Sequence, residues 1–199
     1  LMLAREGYAV AINYNKSRKD AGETLKHLKK INSECISVKG DMTKEKHAKK
    51  LVGAARKKFG RVDVLVNNVG DFLYKPIMKT TSKEVMDVFE NNVISAFNCS
   101  KEVMKVMNNG KIINIGSTGC DEMIAPEMTT PYYMGKSSLF LLTKVMARER
   151  GVKVNMVSLG ILPTSVVKKE GVQYTTFEEV TSTVWKMING KSNGKIVTL

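Results

Sequence analysis

Short apolar and β-branched runs alternate with longer charged segments along the whole chain. The runs fall at 8–14, 35–41, 62–68, 111–117, 153–160 and 194–199. Between them lie stretches with helical spacing at 17–31, 43–59, 82–107, 131–149 and 177–189. Strand followed by helix, repeated, is the pattern of a mainly parallel sheet covered by helices on both faces. Strands buried on two faces are apolar throughout rather than alternating, and "VDVLV" and "KIINI" read that way. The expected class is α/β, a doubly wound parallel sheet in three layers.

Length is compatible with one domain, since 199 residues with 43% hydrophobic content suffice for a buried core. No apolar run approaches the ~20 residues needed to cross a bilayer, and no signal-peptide order opens the chain. A soluble, cytoplasmic protein without membrane contact is expected. Cys35, Cys99 and Cys120 match neither a disulfide framework nor a metal-ligand spacing, so no metal is expected. The formal charge of +13, from 32 Lys+Arg against 19 Asp+Glu, asks for a partner. The lysines are scattered over helical segments without a zinc-finger or RNA-binding signature, so solvated basic faces are preferred over nucleic-acid binding. Such a surface also steers acidic small molecules or acidic carriers.

Open parallel sheets bind ligands beyond the carboxyl ends of their strands. The polar clusters of this chain sit there: Asn13 with Asn15, Asp41, Asn67 with Asn68, Ser117, and the stretch from Gly160 to Thr164. The opening "LMLAREGY" reads as the last turns of a helix stopped by Gly7, with no strand or glycine-rich turn before it. The reading therefore expects a first strand and a pyrophosphate-binding turn upstream of Leu1. At 130–138, "TPYYMGKSS" places Tyr132 and Lys136 four residues apart, on one face of a helix; Tyr133 has that spacing only to Ser137.

In this order, "GYAVAINYNKS", "GDMT", "FGRVDVLVNNVG", "FENNVISAF", "GKIINIGSTG", "YYMGKSSLFLLTKVMARE" and "VKVNMVSLG" resemble the classical short-chain dehydrogenase/reductase family. The likeness is greatest to its 3-oxoacyl-(acyl-carrier-protein) reductase branch and runs over nearly the whole chain. It implies a single Rossmann-like nucleotide-binding domain over residues 1–199.

The resemblance assigns catalytic roles to four residues. Tyr132 would protonate the substrate carbonyl oxygen as hydride arrives. A free phenol has a pKa of about 10, and Lys136 on the same face would lower it while holding nicotinamide ribose hydroxyls. Ser117 would fix the carbonyl oxygen. Asn92 would kink its helix and hold a water behind the lysine; Asn91 is its equally plausible neighbour by sequence. Tyr133 is left to packing.

For the cofactor, the resemblance places Asp41 on the adenine amino group, with Met42 lining the ring; Asp41 would also cap the helix starting near Thr43. Asn68 and Gly70 would pass close to the adenosine ribose, with Val69 where the family has alanine. Leu162 and Thr164 would contact the carboxamide, although Leu159 stands in place of the usual proline. NAD-selecting enzymes put an acid after the second strand. Here "INYNKSR" carries none, so Asn15 and Lys16, with Arg18, suggest NADP(H) over NAD(H).

The expected activity is NADPH-dependent reduction of a carbonyl, most like a 3-oxoacyl thioester, with an acidic acyl carrier protein as candidate partner. Another small carbonyl (sugar, polyol or pterin) and a non-catalytic nucleotide-binding module are the alternatives. Two departures bear on the substrate: extra residues in "TGCDEMIAPEMTT", and a short lid segment between Thr164 and "TTFEEV". Family likeness also implies a homotetramer or homodimer, with Val93, Phe97, Leu139 and Leu142 available to an interface or to the core.

Overall fold

The computed structural model describes residues 1–31, 34–165, 171 and 173–199. Its strands are β1 (Val10–Tyr14), β2 (Cys35–Lys39), β3 (Val64–Asn67), β4 (Gly110–Ser117), β5 (Val152–Leu159) and β6 (Ile196–Thr198). Its helices are α1 (Met2–Arg5), α2 (Arg18–Lys30), α3 (Glu45–Phe59), α4 (Ser82–Phe89), α5 (Ser95–Met104), α6 (Thr130–Met146) and α7 (Phe177–Asn189). All pairing is parallel. β1 pairs with β2, and a second sheet runs β3-β4-β5-β6. Among the described residues, β1 and β3 each have one edge without a strand partner. The expected doubly wound α/β architecture is present. The short segment expected to act as a lid falls largely on 166–170 and 172, outside the described residues.

The four-stranded sheet is buried on both faces. Ile112 and Val154 pack with Val52 of α3, Val103 of α5 and Met146 of α6. Their neighbours Ile113 and Val157 face the other way, against Val184, Met187 and Ile188 of α7. Successive strand residues point to opposite faces, so a continuous apolar run is what a sheet with two covers requires. Most buried polar side chains in these strands are paired, although Ser158 Oγ of β5 has no partner. Asn114 Nδ2 donates to Thr143 Oγ1 at 2.8 Å, while its Oδ1 accepts from Asn67 Nδ2 at 2.8 Å. Asn67 also donates to Ser100 Oγ at 3.0 Å. This buried chain locks β3 and β4 to α5 and α6 just below the strand ends, because an unsatisfied amide there would cost about 1–3 kcal/mol. Asn67 is therefore structural, and only Asn68 of that pair faces a cleft.

Helix ends follow local chemistry. Capping boxes at Thr81/Glu84 and Thr176/Glu179 start α4 and α7. Gly7 and Gly60, at φ of 85° and 81°, follow α1 and α3 in the left-handed region. Two expectations need correction, and a third point left open is settled by burial. The segment 82–107 is not one helix: a five-residue π-turn, Glu90–Ile94, interrupts it between α4 and α5. Asp41 does not cap α3, which starts at Glu45. Its Oδ1 instead accepts from the backbone N–H and hydroxyl of Thr43, at 3.0 and 2.7 Å, closing a turn before the helix. Of the four apolar candidates for an interface, Val93 (8% exposed) and Leu139 (1%) are core, Leu142 is packed against it, and only Phe97 (40%) is exposed. No helix among the described residues is long and apolar enough to cross a membrane.

Candidate active site

Beyond the carboxyl ends of β3, β4 and β5 lies a cleft of about 730 Å³ lined by Asn68, Gly70, Ser117, Tyr132, Tyr133, Lys136, Leu162 and Thr164. Three of the four expected catalytic residues and four of the expected cofactor residues thus meet in one place. Asn92 lies directly behind the wall.

The geometry starts from α6. Pro131 stands in its first turn, where a missing N–H costs nothing. Tyr132 and Lys136 then stack one turn apart, with the Lys136 ammonium nitrogen 5.8 Å from the Tyr132 ring centre. Lys136 is buried, and its Nζ donates to Ile115 O of β4 at 2.8 Å. Two glycines make room. A Cβ at Gly135 would sit 3.1 Å from Asn92 Cβ, and one at Gly70 would sit 2.7 Å from Asn92 Oδ1 and 3.3 Å from Lys136 Nζ. Any side chain at Gly70 would press on both groups.

Asn92 is 0% exposed and centres the π-turn. Its Nδ2 donates to Val88 O at 2.9 Å and to Asp71 O at 2.8 Å, while its Oδ1 has no hydrogen-bond partner. A bond from side chain to the carbonyl four residues back competes with the helical ladder, and a π-turn is where such competition is accommodated. Of the two asparagines, Asn92 is the one beside Gly70 and Gly135, whereas Asn91 Nδ2 bonds Asp87 O at 2.9 Å and the residue lines a different cleft.

Ser117, the last residue of β4, lines the cleft together with Tyr132 and Tyr133. The electrostatics differ from the sequence expectation. Burial pushes the Tyr132 phenol above its usual range, and hydrogen bonding with Ser117 pulls it back. Burial lowers Lys136 to about 8. Lys136 is thus turned to a backbone carbonyl rather than to the phenol, and desolvation outweighs the expected depression of Tyr132.

The sequence reading missed two aromatic residues, Phe72 and Tyr74, and gave Tyr133 a packing role alone. Phe72 meets Tyr132 edge-on at 4.9 Å between ring centres and stacks on Tyr74 at 6.4 Å. Tyr133 meets Tyr132 at 5.6 Å, and its hydroxyl donates to Thr118 O at 3.2 Å, so it does more than pack. Only the apolar character of "DFLY" signalled the first two. The 118–129 loop holds Met123 and Met128 at φ of 57° and 64°, uncommon for such residues. Met128 O accepts from Lys75 N at 2.7 Å, joining the two loops that flank the cleft.

A second cleft of about 400 Å³ opens beyond β1 and β2 and is lined by Asn15, Ser17, Asp20, Asp41, Met42 and Val69, among others. Asn98 Nδ2 of α5 donates to Met42 O and Thr43 O at 3.0 and 3.1 Å, holding the Asp41 turn in place. Lys16 is exposed and is not part of this wall, whereas Asp20, which the sequence reading did not consider, is. Together the two clefts offer surfaces for the two ends of a nicotinamide dinucleotide: a polar and apolar wall at one end, a close backbone approach at Gly70, and a buried ammonium at the other end. The residues present fit that group.

Residues 1–175 match the family described as short chain dehydrogenase. An uncharacterized oxidoreductase of Methylorubrum extorquens is 32% identical over 88% of this chain and 72% of its own length. The 3-oxoacyl-(acyl-carrier-protein) reductase of Staphylococcus epidermidis is 34% identical over 81% of this chain and 68% of its own. Among solved structures, a Serratia marcescens short-chain dehydrogenase/reductase variant is 29% identical with a TM-score of 0.90, covering 99% of this chain and 88% of that one. A Burkholderia cenocepacia short chain dehydrogenase, solved with NADP, shares the fold at 24% identity and a TM-score of 0.91, over 99% of this chain and 88% of that one.

The depressed Lys136 pKa has a measurable consequence. The folded value is about 8 against 10.5 for the free side chain, so the unfolded chain binds the extra proton between those values. Stability should therefore rise with pH across that window. Relative to wild type, Lys136→Met should be more stable at pH 7 by up to about 3 kcal/mol, and the difference should shrink as pH rises from 8 to 10.5. Denaturant titrations of both proteins at several pH values read this directly; a difference independent of pH would contradict it.

From its sequence, its sheet and the residues gathered at the strand ends, the chain belongs to the short-chain dehydrogenase family of oxidoreductases, which use a nicotinamide cofactor.

Proposed function

We propose that the chain reduces a carbonyl to an alcohol with NADPH in preference to NADH, that Tyr132 is the proton donor, and that a 3-oxoacyl thioester is the substrate. The observation that carries this is the convergence of Tyr132, Ser117 and Lys136 on one cleft, with Asn92 behind it. A reduced nicotinamide, when bound, supplies hydride to the carbonyl carbon. Ser117 orients the carbonyl oxygen, and Tyr132 gives that oxygen its phenolic proton. Lys136, one helical turn away, steadies the resulting phenolate through its charge, and the phenol regains its proton from solvent before the next turnover. Asn92 Oδ1, buried and without a partner, is the acceptor for a water or an ammonium proton behind Lys136. Phe72 and the aromatic neighbours keep water from the phenol.

Asp41, Met42, Asn15, Asn68, Gly70, Leu162 and Thr164 are proposed to hold the cofactor, with Lys16 and Arg18 available to a 2′-phosphate from the exposed rim. Asp20 in the wall opposes that preference, so the NADPH/NADH ratio of kcat/KM is the quantity that decides it. The thioester reading draws on the Staphylococcus epidermidis relative, and an acyl carrier protein is its candidate partner. A sugar, polyol or pterin carbonyl would meet the same reacting groups, and a nucleotide-binding module without turnover would leave them idle. Free Cys35, Cys99 and Cys120 fit a reducing, cytoplasmic compartment.

A homodimer or homotetramer is proposed from the exposed apolar side chains on α5 and α6: Phe97 (40% exposed), Met134 (49%), Leu141 (67%) and Val145 (51%). On α6 the last three follow helical spacing along one face.

Two experiments follow. With acetoacetyl thioester and NADPH, followed by cofactor absorbance, Tyr132→Phe should lower kcat by at least about 100-fold while cofactor affinity changes little; retained turnover would sink the assignment. In sedimentation, wild type should run as a dimer or tetramer and Leu141→Glu/Val145→Glu as a smaller species; a monomeric wild type would remove the assembly.

A further inference from the structure

A row of rings leads outward from Tyr132. Phe72 meets the Tyr132 ring edge-on at 4.9 Å between centres, and Tyr74 stacks on Phe72 at 6.4 Å with 15° between the ring planes. All three residues line the same cleft. Phe72 is half-buried, Tyr74 is exposed, and Ile77 and Met78 further along the segment are exposed too. Single exposed apolar residues are common and mean little by themselves. Here the segment that carries them is fastened at several points. Asp71 Oδ1 accepts from Phe72 N at 2.9 Å, Lys75 N donates to Met128 O at 2.7 Å, and the Lys75 ammonium pairs at 2.7 Å with Glu84, which closes the capping box of α4. Tyr74 is thus presented to the cleft from a fixed loop, with much of its surface open.

We infer that Phe72 and Tyr74 determine substrate specificity by seating an uncharged carbon chain that runs from the reacting carbonyl toward Ile77 and Met78. This rests on the proposed role of Tyr132. A carbonyl oxygen that takes the phenolic proton must lie within hydrogen-bond reach of Tyr132. A substituent leaving that carbonyl on the Phe72 side then runs along the two rings, whose faces bury methylene groups and give a charge no partner. Pro126, Ile161 and Leu162 add apolar surface to the same cleft. Asp71 and Glu127 also stand in its wall, and their acidic side chains oppose a carboxylate at the end of the chain. The favoured substrate class is therefore a carbonyl with an apolar tail, rather than one whose tail ends in an acid.

The test is NADPH-dependent reduction of 3-oxoacyl thioesters, from acetoacetyl to 3-oxooctanoyl, by wild type, Tyr74→Phe and Tyr74→Ala. Wild-type kcat/KM should rise by about 2- to 4-fold for each added methylene. Tyr74→Phe keeps the ring and should keep that rise, whereas Tyr74→Ala should flatten it, so that its loss against wild type grows with chain length. A 3-oxohexanoyl chain whose terminal methyl is replaced by a carboxylate should be used at least about 10-fold less efficiently than the plain chain. A wild-type kcat/KM independent of chain length, an equal loss in Tyr74→Ala for every chain, or equal use of the charged chain would overturn the inference while leaving the proposed function intact. No reduction of any of these thioesters would overturn both.

Discussion

Everything at the candidate site depends on how closely α6 approaches the π-turn at Glu90–Ile94. Gly135 allows that approach on the helix side and Gly70 on the loop side, and a buried lysine and a buried asparagine both crowd the space beside Gly70. Burying an ammonium is costly, and Lys136 meets the cost with a backbone carbonyl of β4 and a proton affinity lowered to about 8. Asn92 keeps one carbonyl oxygen without a partner beside it. Such unsatisfied groups are rare in folded proteins, and together with the perturbed lysine they mark this end of the sheet as the place where chemistry is expected.

The rest of the fold serves that approach. Asn67, Asn114 and Thr143 tie β3, β4 and α6 together just beneath the cleft, so the end of β4 delivers Ser117 at a set height relative to Tyr132. The loops above are joined where Lys75 N meets Met128 O, and Lys75 also pairs with Glu84 at 2.7 Å. The aromatic set of Phe72, Tyr74, Tyr132 and Tyr133 lies between these loops and α6. The Tyr132 phenol in such surroundings is desolvated, which raises its pKa.

Much of this was legible beforehand. Apolar runs located every strand to within about two residues, because a sheet covered on both faces imposes an unbroken hydrophobic pattern. Ordered motifs brought Tyr132, Lys136 and Ser117 to one cleft. What escaped had no local signature. The π-turn has no periodicity of its own, so α4 and α5 read as one helix. Phe72 touches Tyr132 across sixty positions of chain, and Tyr133 finds its partner only when the strand end at Thr118 folds back beside it. The direction of the Tyr132 shift was misjudged for the same reason: spacing along a helix says that a lysine is near, but not which acceptor it faces.

The central claim is that this cleft moves a hydride onto a carbonyl. It is tested most directly with NADPH deuterated on the transferred position of the nicotinamide and a 3-oxoacyl thioester, with the product analysed by mass spectrometry. The account predicts a hydroxyacyl product carrying one deuterium on the former carbonyl carbon. A product without label, or no product from any carbonyl offered with either nicotinamide, would contradict it.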